Sequence, residues 1–571
     1  MKGRRLRRLL FFALAGMAIF WWLRSGAPTI EPGSVLELSL EGAYVESAEP
    51  ALLARLFGPG PRPLASLLAD LEKARRDERV AAVVLRVRSL EIGWAKAQEI
   101  RDAIAALDAS GRRTLAYLEL EGMGSNLEYF VASAAGELYA NPASRAPLIG
   151  LSGEFFFFGG LFEKLGVELE VERVGRYKTA ADTLAGREMS EAHREMAEAL
   201  LDSLDAQFVA AIARGRGLPE KVVREAIESA PSDPAELESL GLVDGVEPYD
   251  ATLARAGEGP RVAQEVWRVV DPASAGIEPS ARFALVYASG NLVTGESGPT
   301  PLGGAQLGAA TIAEALADAA ADPDVSAIVL RIDSPGGSLL ASEQVWRAVA
   351  RAREGGKPVI ASFSDVAASG GYYVAAPADA IVAQPASITG SIGVLVVRPV
   401  LAKLLAELDV GVATLTRGAR ADLALASQPL SPASRAWLQR EVDAAYELFV
   451  ARVSAGRPLD PPGVDLVGRG RVWSGADAAE RGLVDALGGL ATAVDLAKER
   501  LGLDPDADVG LVAYPPPRPL AEQIADALTQ ARARALAGLP SVRAVRRLEP
   551  WLDAAGARRP VALLPFSVEV R

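Results

Sequence analysis

The chain contains no cysteine, and it has a single histidine in 571 residues. Disulfides, thiolate nucleophiles, Cys/His zinc sites and iron–sulfur clusters are thereby excluded. No calcium-loop spacing is present either, so neither metal nor cofactor is expected. The one imidazole, His193, lies in the charged helical stretch Ser190-Glu-Ala-His-Arg-Glu. It reads as part of a solvated face rather than as a catalytic group. Basic residues are outnumbered, 60 Lys and Arg against 73 Asp and Glu. Six of those bases and no acid fall within residues 1–24, so the body beyond carries −19 against −13 for the whole chain. An acidic body is a poor match for phosphate backbones, and no nucleic-acid partner is expected. What is present is apolar: half of all residues, with 23% charged, which suits about three to four folded domains.

The basic residues at the start precede Leu9–Leu23 (LLFFALAGMAIFWWL), 15 residues without a charge. A spanning helix wants about 20. Trp21 and Trp22 sit where an interfacial aromatic belt lies, and flanking arginines can snorkel to lengthen the span. No small-x-small cleavage site follows. The segment therefore reads as an uncleaved signal anchor rather than a cleaved signal peptide or a core helix. Residues 1–8 are expected in the cytoplasm, 9–23 in the bilayer, and the rest across the membrane.

Beyond the anchor the chain repeats itself. Val80–Val87 (VAAVVLRV) resembles Val325–Ile332 (VSAIVLRI) at an offset of 245. Tyr129-Phe-Val-Ala132, Asn141-Pro-Ala-Ser144 and Ile149-Gly150 match Tyr372-Tyr-Val-Ala375, Gln384-Pro-Ala-Ser387 and Ile392-Gly393 at an offset of 243. Gly241-Leu-Val-Asp244 recurs as Gly482-Leu-Val-Asp485. One register held this far implies two copies of one domain, residues 32–265 and 281–503. In the second copy a buried strand is expected at 327–332, a helix at 339–354 and a strand at 358–363. That succession specifies an α/β layer with parallel pairing. Residues 504–571 form an extension with a Pro-rich break at 515–519, a helix near 520–537 and a strand at 561–569.

The copies differ where chemistry would reside. The second reads Ala367-Ala-Ser-Gly-Gly-Tyr372; in the same register the first has Asn126 for Ser369, with Leu127 and Glu128 for the two glycines. Conversely, Lys178 of Gly175-Arg-Tyr-Lys-Thr-Ala becomes Ala421 in the second copy. Pro335-Gly336-Gly337 corresponds to Leu90-Glu91-Ile92, and Ser391 to Leu148. Reciprocal loss of this kind is expected when one site is assembled from both copies. A serine nucleophile needs a base, and a neutral lysine amine can be one. Burial would have to lower the Lys178 pKa by about 3 from its usual 10.4, costing roughly 4 kcal/mol. Ser391 is the candidate for orienting that amine. The amide of Gly370, with one from Gly336 or Gly337, can face a developing oxyanion, each donor being worth about 10²–10³ in rate. The run Phe155–Phe158 reads as core or subunit interface, with a groove for apolar peptide as the alternative.

GRYKTA, IDSPGGSLLASE, AASGGYYVAA and TGSIGV, in this order behind an N-terminal anchor, resemble the long, duplicated form of the signal peptide peptidase A (protease IV) family. The resemblance covers most of residues 30–500. It implies tandem crotonase/ClpP-like α/β domains behind a transmembrane helix, in a homo-oligomer, expected to be a tetramer. It also implies a bacterial inner-membrane protein whose body faces the periplasm and degrades cleaved signal peptides with a Ser/Lys dyad. By motif position the nucleophile is Ser369, the base Lys178, the lysine-orienting hydroxyl Ser391, and the oxyanion glycines Gly336, Gly337 and Gly370. A crotonase-type acyl-CoA enzyme and an inactive membrane scaffold are the competing readings.

Overall fold

A computed structural model of the chain describes residues 30–46, 62–121, 124–145, 148–299, 305–516 and 561–563. The expected anchor at 9–23, the basic segment 1–8, the helix near 520–537 and the strand beyond 563 lie outside these residues. Among the described residues, no helix is long and apolar enough to cross a membrane.

Each repeat builds a mostly parallel sheet with helices against it. In the first, Val80–Glu91 is central, an apolar run buried on both faces, as parallel strands demand. Ser34–Val45 and Arg113–Leu118 flank it, and Glu137–Ala140 and Gly245–Val246 continue outward, all parallel. In the second, Ala327–Ser334 holds the corresponding place between Ala281–Ser289 and Val359–Ala368. Helices repeat as well. Trp94–Ala109 corresponds to Leu339–Glu354, and Glu191–Arg216 to Pro432–Gly456. The Leu339–Glu354 helix starts where the Ser338 side chain accepts the Ala341 N–H. It buries Ala341, Val345, Ala348 and Ala352, a single face at three- and four-residue spacing, and ends at Gly355-Gly356.

Three departures from the sequence reading matter for the site. Val509–Tyr514 pairs in parallel with Ala281–Ser289, so the second unit continues past residue 503. Glu168–Arg173 leaves its own repeat and pairs antiparallel with Leu395–Val400 of the other, from Leu395 opposite Arg173 to Val400 opposite Glu168. His193 is not on a solvated face. It is fully buried, edge-on to Phe155 at 5.2 Å and to Phe157 at 5.5 Å. The aromatic run folds over the first turn of the helix that Ser190 caps through the His193 N–H, so the imidazole packs against Phe155 and Phe157 rather than facing solvent.

The apolar core of the first repeat runs on into Ala368, Ala386, Ile388 and Val472 of the second. The two units therefore share a packed boundary, and it lies beside the end of the Val359–Ala368 strand.

Candidate active site

Two chain segments, one from each repeat, meet at this boundary. From the first, the Glu168–Arg173 strand delivers the loop that carries Lys178. Gly175, at φ +98°, makes the turn, and a Cβ there would lie 2.2 Å from the carbonyl oxygen of Arg469. Only glycine allows that approach. Tyr177 then donates its N–H to the same carbonyl at 3.0 Å, and Arg173 Nη1 donates to the Lys178 carbonyl at 3.1 Å and to Asp182 at 2.7 Å. The loop is tied at both ends, and the Lys178 side chain is directed inward, with 0% exposure.

From the second repeat, Val359–Ala368 ends at Ser369, the residue before the short Gly370–Ala375 helix. Ser369 has φ +56° and ψ −115°, a strained conformation for a residue with a side chain, costing about 1–3 kcal/mol. Its amide donates to the Gly390 carbonyl at 2.8 Å, and its carbonyl accepts the Tyr373 N–H at 2.8 Å. Those bonds, with packing that leaves the residue 0% exposed, hold the turn. Ser391, at φ +52°, is held in the same way by its amide, which donates to the Arg471 carbonyl at 2.6 Å.

Lys178 Nζ lies 2.7 Å from Ser369 Oγ, 2.9 Å from Ser391 Oγ and 2.9 Å from the Ser391 carbonyl oxygen. A neutral amine has two N–H donors and one lone pair. Two donors to Ser391 leave the lone pair facing the Ser369 hydroxyl. Burial pushes the Lys178 ammonium well below the ordinary lysine range, which favours this neutral form.

The glycines around Ser369 are required by contact. A Cβ on Gly370 would lie 2.7 Å from Ser342 Oγ and 3.1 Å from the Gly337 nitrogen, and one on Gly371 2.6 Å from the Ser334 carbonyl oxygen. Gly336 and Gly337 have φ of +105° and +150°. The Gly336 amide donates to Ser334 Oγ at 3.2 Å, whereas the Gly337 nitrogen lies against Gly370, within 3.1 Å of where a Cβ on that residue would stand.

At the matching place in the first repeat, side chains fill the space. Asn126 donates to the Gly150 carbonyl and accepts from the Ile149 amide, both at 3.0 Å. Glu128 accepts the Leu90 N–H at 2.8 Å, and burial raises its carboxyl pKa. Leu148 is fully buried. Reading the sequence alone missed the wall behind Lys178. There Arg471 lies over the rings of Tyr177 and Trp473, at 4.7 and 4.6 Å, and binds Glu195. Tyr177 belongs to the GRYKTA motif, but Arg471, Trp473 and Glu195 sit in no recognisable motif, and the signal for them is spatial only. Among the described residues, no group of His, Cys, Asp and Glu is arranged to hold a metal ion.

Comparison with known proteins agrees with the duplication. The model of peptidase family S49 matches residues 109–263 and again 351–504. The chain is similar to a chloroplastic serine protease SPPA of Arabidopsis thaliana, 33% identical over 493 residues, which span 85% of this chain and 71% of that one. It is similar also to Protease 4 of Salmonella typhi, 28% identical over 516 residues, 86% of this chain and 82% of that one. A solved ClpP1 variant from Listeria monocytogenes overlaps 37% of this chain and 94% of its own at 12% identity, with a TM-score of 0.24. Two matched segments that together exceed half of the chain leave one conclusion: this protein belongs to peptidase family S49 and is a serine peptidase built from two copies of the family's domain.

Proposed function

We propose that Ser369 is the nucleophile and Lys178 its general base, and that the protein degrades signal peptides after their release from preproteins. The observation that carries this reading is a fully buried lysine amine 2.7 Å from a serine hydroxyl on a strained strand-to-helix turn. Ser369 Oγ attacks the scissile carbonyl carbon while its proton passes to Lys178 Nζ. The oxyanion that forms is met by the amides of Gly337 and Gly370. The ammonium of Lys178 then protonates the leaving amine, giving an acyl-enzyme, and the neutral amine activates water to hydrolyse it. Ser391 holds the amine in line throughout.

The peptide substrate would lie as an added strand. The backbone of Val561–Leu563 pairs antiparallel with Gly336–Ser338, the strand that holds two of the proposed oxyanion glycines, and on its other side with Leu395, so this slot accepts an extended chain. The family resemblance further supports tandem ClpP/crotonase-like domains, a membrane anchor at residues 9–23, a body on the periplasmic side of a bacterial inner membrane, and a homo-oligomer, as a tetramer. An acyl-CoA enzyme or an inactive scaffold would have no use for a desolvated lysine held against a serine.

A serine-reactive peptidyl phosphonate tests the assignment. Covalent labelling at Ser369 that disappears in Lys178→Ala is the expected result. Labelling at another residue, or labelling indifferent to Lys178→Ala in a folded protein, overturns it.

A further inference from the structure

The Val359–Ala368 strand does not run evenly along Ala327–Ser334. Ile332 stands opposite Phe363, yet Ser334 stands opposite Ala367, so residues 364–366 bulge out against Asp333 alone. A bulge re-aims the residues beyond it, and beyond this one lie Ala367-Ala368-Ser369 on one strand and Pro335-Gly336-Gly337 on the other. The offset of the nucleophile from the oxyanion turn is therefore set at this irregularity.

Side chains from both repeats close the gap. Asp333 Oδ1 accepts the Val366 N–H at 3.2 Å, a bond the broken ladder would otherwise lack. Asp365, at the crest of the bulge, reaches into the first repeat and accepts the N–H groups of Gly93 and Lys96, at 3.2 and 3.0 Å. It thus caps the Trp94–Ala109 helix from outside. A Cβ on Gly93 would lie 2.3 Å from the Asp365 carboxyl carbon, so the helix must begin at a glycine. Lys96 Nζ bridges the two carboxylates, 2.6 Å from Asp333 and 2.7 Å from Asp365, with Glu46 at 3.7 Å. A lysine in the first turn of a helix opposes the macrodipole, so helix stability does not account for its place.

We infer that Lys96 is a positioning residue for the peptidase reaction: by clamping Asp333 and Asp365 it locks the bulge that sets Ser369 against the Gly336-Gly337 turn. It touches neither substrate nor Ser369 and acts through the two strands. The inference rests on Ser369 being the nucleophile.

Among the described residues, further charged groups face this clamp. Glu46 and Glu99 come from the first repeat, and Arg331 pairs with both, at 2.8 and 2.6 Å. Ser364 donates to Glu46, and Tyr287 lies nearby, its phenol pushed up to about 12 by burial and by the charge on Glu46. Four carboxyls thus share two cations. Burial raises the Asp333 pKa, Lys96 opposing it, and burial likewise raises that of Glu99. Without Lys96 no cation lies between Asp333 and Asp365, and their repulsion falls as pH falls and the raised Asp333 carboxyl takes up its proton.

The test is a peptide hydrolysis assay on the full chain from pH 6 to 9, with thermal melts alongside. In Lys96→Met, kcat at pH 8 is expected to fall about a hundredfold with KM nearly unchanged, as displacement of a reacting group does. The ratio of wild-type to variant kcat should narrow toward pH 6. Adding Asp333→Asn removes the surplus charge but keeps an oxygen for the Val366 N–H, so the double variant should recover to within about fivefold of wild type. A folded Lys96→Met with wild-type kcat overturns the inference, as does a loss equal at every pH. If Lys96→Met does not fold, the double variant decides alone: near-normal kcat supports the clamp, and a folded, inactive double variant rejects it. Ser369→Ala assayed in parallel separates the two claims. An active Ser369→Ala refutes the nucleophile assignment, whereas an inactive one beside a fully active Lys96→Met refutes only the clamp.

Discussion

Arg173 of the first repeat stands opposite Leu395 of the second, at the inner end of an antiparallel ladder that neither repeat could form alone. Five residues later the same segment places the Lys178 amine against Ser369 and Ser391. This strand exchange is why each copy could lose half of the chemistry. With the lysine proposed to serve the second copy's serine, Asn126 and Glu128 are free to plug the other turn with hydrogen bonds to the backbone. A composite site also ties activity to the boundary between repeats, so substitutions there should act on catalysis more than on either core.

In the proposed mechanism Lys178 and Ser369 act on one proton, so their removal should not be additive. Lys178→Met and Ser369→Ala are each expected to lower kcat by about 10³-fold or more, and the double variant no further. Single-turnover hydrolysis of a fluorogenic peptide measures this. A double variant much slower than either single one would mean that the two residues act in separate steps.

The depressed pKa of Lys178 has a signature in stability as well as in rate. The unfolded chain holds the proton up to about pH 10.4, whereas the folded site releases it lower. Between the two values the unfolded state binds more protons, so the lysine's contribution makes stability rise with pH. Below the folded pKa the destabilisation is at its full extent. Acylation should rise through the same window as the amine becomes free. Lys178→Met should flatten this part of the dependence of Tm on pH. Matching slopes for variant and wild type, or a flat acylation rate between pH 6 and 9, would rule out the neutral base.

The sequence reading went furthest where a local pattern had a long-range consequence. The strand expected at 327–332 and the helix expected at 339–354 were legible because an apolar run, helical periodicity and the Gly355-Gly356 stop all act within a few residues. Asymmetry between the copies singled out Lys178, Ser369 and Ser391, since a reactive side chain in one register is conspicuous against Ala421, Asn126 and Leu148 in the other. His193 was misjudged because its burial depends on Phe155 and Phe157, which arrive from a separate segment. Lys96 was invisible for a similar reason: on a helix it looks like any surface lysine until Asp333 and Asp365 are brought up to it. Arg331 inside the run AIVLRI was the one clue to that network, since a guanidinium in a buried strand demands partners.

Ser391 contributes both a hydroxyl and a carbonyl to the amine, and they can be separated. Its φ of +52° makes alanine a strained replacement, whereas glycine adopts that region freely. Ser391→Gly should therefore keep the turn and remove only the hydroxyl. One lost hydrogen bond of about 1–1.5 kcal/mol corresponds to roughly a tenfold fall in kcat, with the pH midpoint of acylation displaced. A variant with unchanged kcat and midpoint would leave the orientation of Lys178 to the Ser391 carbonyl alone.

Gly370 tests the oxyanion assignment through sterics rather than through a lost side chain. A methyl group there would meet Ser342 Oγ at 2.7 Å and crowd the Gly337 nitrogen at 3.1 Å. Relief requires moving the helix start away from the Gly336–Ser338 strand, which separates the two amides. Removing one oxyanion donor costs about 10²–10³ in rate, and Gly370→Ala should fall in that range. Ser342→Gly in the same chain removes the closer clash but not the contact with Gly337, so it should recover only part of the loss. Complete recovery in the double variant would show that Ser342, and not the spacing of the two amides, had limited the reaction.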